Sequence, residues 1–71
     1  MITLTRLNKT RLAVNCDLIE RITATPDTNI HMVTGDPLVV LEPLEDVLAL
    51  IEEARARVIS RALSAVLEGG L

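Results

Sequence analysis

Asn15-Cys16-Asp17-Leu18-Ile19-Glu20-Arg21-Ile22-Thr23-Ala24-Thr25-Pro26-Asp27-Thr28 is the stretch on which the fold turns. Asn15 and Asp17 are turn formers, and the apolar positions Leu18, Ile19 and Ile22 do not keep strict alternation. One helical turn or a bulge at residues 15–18, then a strand from about Ile19 to Thr25, accounts for the broken period. A short helix capped by Asn15 is the alternative, and the strand is the reading kept. Pro26-Asp27 suits a reversing turn, with the fixed φ of proline at the first central position.

Upstream lies a hairpin. Ile2, Leu4 and Thr5 open a strand, Asn8-Lys9 is the turn because Asn tolerates the left-handed conformation, and Arg11 to Val14 returns. Leu12 and Val14 fall on the buried face, with Arg11 and Ala13 opposite. Downstream, Thr28 to Thr34 alternates, with Ile30 and Met32 inward and Asn29, His31 and Val33 outward. Gly35-Asp36 is a tight turn, and Pro37 starts a last strand. Leu38-Val39-Val40-Leu41 does not alternate, which predicts cover on both faces: the helix on one and a neighbouring subunit on the other.

From Pro43 the period becomes helical. Pro43 fits the first helical position, Glu45 and Asp46 complement the positive end of the dipole, and Gly69-Gly70 is a stop signal. The helix of about 24 residues is close to 36 Å long, against about 17–23 Å for strands of five to seven residues, so it should overhang its sheet. Leu44, Leu48, Ile51, Val58, Ala62 and Ala65 form one apolar stripe, with Val47, Ala54 and Val66 beside it. Leu50, Ile59, Leu63 and Leu67 widen the face beyond a single seam, and Glu53–Arg57 is a favourable i,i+4 pair. The class expected is α+β: a small, curled antiparallel sheet of about five short strands over residues 1–42, then one long amphipathic helix over about 43–68, in a single domain.

Composition sets the functional bounds. In 71 residues there is no Phe, Tyr or Trp, yet 49% of the chain is apolar. A chain this short buries only about 60% of its unfolded surface, and lacking aromatics it has a core of aliphatic residues only. Cys16 is the sole cysteine, so no intrachain disulfide forms, and with His31 it offers too few soft ligands for structural zinc. Oligomerisation remains as the expected support, with Leu44, Leu48, Ile51, Val58, Ile59, Ala62, Leu63 and Leu67 as the interface. The net charge of −3 argues against a general affinity for nucleic acid or anionic lipid. No signal peptide or membrane-spanning run is visible, and the expected location is the cytoplasm.

No constellation here carries catalysis. His31 has no nucleophile or paired acid, and Cys16 reads as a small hydrophobe at a turn edge. Asp17, Glu20, Asp27 and Asp36 lack the spacing of a cation loop. Arg6, Lys9, Arg11 and Arg21 read as a solvated edge that discourages sheet-to-sheet pairing. No enzyme activity, cofactor or metal is expected.

Ile2-x-Leu4-Thr5-x-Leu7-Asn8, then Asn15-x-x-Leu18-Ile19-Glu20-x-Ile22, then Pro26-Asp27-Thr28-x-Ile30, Gly35 and Val39-Val40-x-Glu42 resemble the flagellar FlbD family, also called SwrD, with nearly ungapped spacing. The helix resembles the family in character only, and Lys9 departs from a pattern that usually has Gly after the turn Asn. The resemblance implies a small non-enzymatic motility protein that supports motor power at the stator or its cytoplasmic side. Asn8, Asn15, Glu20, Pro26, Asp27 and Thr28 are the partner-binding candidates it yields, although most are turn formers. An alternative is an RNA-binding regulator, since the strand–helix outline resembles the carbon storage regulator family. That family is basic near the last strand and helix start, where this chain reads Leu41-Glu42-Pro43-Leu44-Glu45-Asp46.

Overall fold

Two antiparallel sheets share one core beneath the first half of a long helix. The computed structural model describes residues 1–69. Strand β1 (Ile2–Thr5) pairs with β2 (Arg11–Val14), and β3 (Ile19–Thr23), β4 (Thr28–Met32) and β5 (Leu38–Val40) form a second sheet in that order. Helix α1 (Leu44–Gly69) closes the described chain. The class is the α+β arrangement expected, with one difference. The five strands divide into two sheets, linked by an isolated bridge between Arg6 and Val40. Beyond Thr5 the chain curls into the hairpin loop, so β1 meets β5 at one rung only.

The first hairpin has Ile2 opposite Val14 and Leu4 opposite Leu12, which sets the apolar side chains on one face. Its loop is tighter than Asn8 alone explains. Lys9 N–H donates to the Arg6 carbonyl at 2.9 Å and Arg6 N–H to the Thr10 carbonyl at 2.8 Å. That is a type I turn closed by a left-handed residue, the common three-residue hairpin loop. Lys9, at φ 71°, takes the left-handed position, not Asn8. The Asn8 side chain instead accepts from the Thr10 N–H at 3.1 Å and from the Thr10 hydroxyl at 2.6 Å.

The decisive stretch contains both features weighed for it. Cys16–Leu18 is a single 3-10 turn, capped by the Asn15 side chain, which accepts from Asp17 N–H at 3.0 Å. Strand β3 follows at once, and its register against β4 shifts between Ile19 and Arg21. A bulge at Glu20 therefore breaks the alternation. The strand stops at Thr23, and the Thr25–Pro26 peptide is cis, a geometry the expected turn did not include. Strand β4 keeps the predicted faces, with Thr28 and Ile30 buried, but ends at Met32.

Ile2, Leu4, Val14, Ile30, Val40, Val47 and Ala54 make the core. Within the chain Val40 is buried, Leu38 and Val39 are half-buried and Leu41 is half exposed. One chain alone therefore does not cover both faces of β5. Pro43 precedes the helix and its carbonyl accepts from Asp46 N–H at 3.0 Å and Val47 N–H at 3.1 Å, so it caps α1 and is not the first helical residue. Gly69 is the last helical residue and Gly70 lies outside the described residues. Val47 and Ala54, placed beside the stripe by the sequence reading, are its buried centre, while Leu50 and Ile51 pack at the flanks. Glu53 and Arg57 do not pair: the one ion pair among the described residues is Arg21–Glu20 at 3.0 Å.

Candidate functional site

At one end of the molecule β1, β5 and the start of α1 are held by a carboxylate. Leu41 N–H donates to the Thr5 carbonyl at 2.8 Å. Thr5 N–H then donates to Glu42 Oε1 at 2.9 Å, and the Thr5 hydroxyl to Oε2 at 2.8 Å. Desolvation pushes the Glu42 carboxyl upward, but the Thr5 bonds, its own backbone N–H and the charge of Arg11 outweigh it and hold the group below its ordinary 4.5. Both carboxylate oxygens are occupied by one residue 37 positions earlier, so the contact fixes where the helix leaves the sheet.

Beside this clamp lies an open cleft of about 430 Å³. The first hairpin loop contributes Leu7, the β3–β4 turn Pro26 and Asp27, the start of β4 Thr28, the corner before the helix Leu41, and the first turn of α1 Leu44. Leu7 and Leu41 are half exposed and face solvent without cover. Asp27 and Glu45 set two carboxylates around them. The β3–β4 turn is braced from within, since Asn29 Nδ2 donates to the Asp27 carbonyl at 3.0 Å. The arrangement suits a short apolar segment of another molecule with basic flanks. It has no nucleophile–base pair, and among the described residues no three His, Cys, Asp or Glu side chains gather into a metal cluster.

The six partner-binding candidates divide among separate places. Pro26, Asp27 and Thr28 come together in the cleft, joined by Leu44 from the interface set. Asn8 faces another shallow site with Leu38 and Val39, and Asn15 lies at the foot of the exposed helix beside Val58 and Ile59. Glu20 is exposed at the bulge and paired with Arg21. Within the interface set, Ile51 packs on the chain's own core, Leu44 is half-buried, and Leu48, Val58, Ile59, Ala62, Leu63 and Leu67 are exposed. His31 lies half-buried with Nε2 3.2 Å from the Thr23 hydroxyl. Arg21 is in the second sheet, away from the hairpin that carries Arg6, Lys9 and Arg11.

Sequence reasoning missed the Thr5–Glu42 clamp and the placing of Leu7 and Leu41 along one cleft. A signal existed for three of these, because Thr5, Leu7 and Glu42 all stand in the pattern that carries the family resemblance. No helix of the described residues is long and apolar enough to cross a membrane. The model of FlbD, a family described as flagellar and swarming motility proteins, matches residues 1–59. No curated protein and no solved structure matches the chain.

Proposed function

The chain belongs to the FlbD family of flagellar and swarming motility proteins, and from that membership we propose a non-enzymatic accessory that supports motor power by binding a motor or stator protein on the cytoplasmic side. The family match over residues 1–59 carries this reading. The cleft between Leu7, Pro26, Asp27 and Leu41 supports it by offering an uncovered apolar surface flanked by carboxylates. It would take an apolar segment with basic neighbours, as cytoplasmic loops beside membrane spans commonly are. Self-association completes the proposal: a marginal aliphatic core gains from a partner copy, and several copies raise avidity for a ring of motor subunits.

The test is a deletion strain complemented with wild type or with Leu41→Ser, an exposed position outside the core. Flagella per cell are counted and single-motor torque is recorded from tethered cells or beads. Normal flagellar number with reduced torque, restored by wild type and not by Leu41→Ser, is the expected result. Fewer flagella with normal torque in those that remain would overturn the motor reading and move the effect to expression or assembly.

A further inference from the structure

The outer half of α1 stands clear of both sheets. Val58, Ile59, Leu63 and Leu67 are 68, 68, 57 and 74% exposed, on a helix whose last buried residue is Ala54. They are not scattered: Ile59, Ala62, Leu63 and Val66 recur at intervals of three and four residues and form a continuous ridge. At its foot a groove of about 300 Å³ opens between Met1 and Cys16 on one side and Ala54, Val58 and Ile59 on the other.

Area indicates what covers this ridge. The accessible surface is 5203 Å², whereas a folded monomer of this mass shows about 4,300 Å². The excess of about 900 Å² equals one partner's share of a standard interface, about 800 Å². The radius of gyration, 14.7 Å, likewise exceeds the roughly 11 Å of a compact chain of this length.

We infer that two copies pair antiparallel through the outer halves of α1, with the tip of each helix beside the groove at the foot of the other. The two-fold axis passes between Ala62 and Leu63. Ile59 then meets the partner's Val66 across the seam, and the end of the partner's helix comes level with the groove beside Met1 and Cys16. Charge selects this direction. Arg55 lies on the ridge side, one turn before Ile59, and parallel pairing would set it against the partner's Arg55, a like-charge contact at the seam. Antiparallel pairing brings it to the C-terminal end of the partner's helix, where the dipole favours a cation. A parallel pair would also leave both grooves empty. The outer ridge beyond Ile59 lies past the segment that matches the family.

This inference rests on the self-association proposed above, and purified full-length protein tests it apart from motility. In a Cys16→Ser background, Ala62→Cys, Ile59→Cys and Val66→Cys are oxidised singly and mixed, beside sedimentation of the wild type. The expected result is a dimer in which Ala62→Cys crosslinks by itself, Ile59→Cys and Val66→Cys do not, and those two mixed crosslink to each other. Efficient self-crosslinking of Ile59→Cys and Val66→Cys would mean a parallel pair and overturn the geometry. A monomer at high protein concentration would overturn the pairing altogether, while the torque measurement would still judge the motility reading.

Discussion

Lys9 and Glu42 show how single residues of this chain depart from what their neighbours in sequence suggest. Lys9 holds φ 71° in an exposed loop, a region that costs an ordinary L-residue about 1–2 kcal/mol. Lys9→Gly removes that strain and gives back part of it as unfolded-state entropy. A net gain of about 0.5–1 kcal/mol is expected, read as a rise of several degrees in Tm. Glu42 works in the opposite sense. Its carboxyl is held below 4.5 when folded, so the unfolded chain binds the proton more readily in that range. Its contribution is complete above the ordinary carboxylate value and is lost as pH falls through the lowered one. Glu42→Gln leaves one Thr5 donor a neutral carbonyl and sets an NH2 against the other, and should cost about 1–2 kcal/mol at neutral pH. Urea titrations from pH 7 to pH 3 should show the variant's stability declining less over the acid limb, and equal slopes would remove Glu42 from the account.

At the scale of elements, α1 is two helices in physical terms. Its first half is anchored by the fully buried Val47 and by Ala54, with Leu50 and Ile51 at the flanks. Its second half has no buried residue. Val47→Ala should therefore cost about 2 kcal/mol through lost transfer energy and a cavity, whereas Val58→Ala at low protein concentration should cost less than about 0.5 kcal/mol. Chemical denaturation of the two variants in parallel checks the contrast, and comparable losses would mean the outer half docks on its own sheets. Hydrogen exchange should divide the helix at the same place, with slow amides before Ala54 and fast ones beyond it in the separated chain. An isolated helical segment of some fifteen residues is marginal in water, so a partner is what would hold the outer turns.

The whole molecule measures 49 × 21 × 19 Å, and that elongation is one helix leaving a small two-sheet body. A binding partner that takes only the folded state raises apparent stability with concentration. The wild-type Tm should accordingly climb by several degrees across a hundredfold concentration range. Leu63→Glu, which puts a charge on the ridge without touching the core, should lie flat over the same range and sediment as a monomer. A wild-type Tm independent of concentration would remove the oligomer from the stability account. The cleft lies at the far end of the helix from the ridge, since its helical residues Leu44 and Glu45 open α1. A pair joined by the tips would therefore carry its two clefts at opposite ends.

The sequence by itself determined the local choices. Alternation marked the inward faces of β2 and β4, Asn15 and Asp17 marked a helical turn or bulge at residues 15–18, and the change of period at Pro43 marked the helix and its overhang. These depend on neighbours within a few positions, which a single sequence displays directly. The family pattern likewise marked Thr5, Leu7 and Glu42, without saying what they do. Only the tertiary structure decided that five strands split into two sheets, that Lys9 carries the left-handed turn, that Val47 rather than Leu48 faces the core, and that Thr5 and Glu42 bind each other. Each of those depends on groups distant in sequence meeting at a set distance and angle. Periodicity gives the width of an apolar face but not the direction of its centre, which is set by what packs against it.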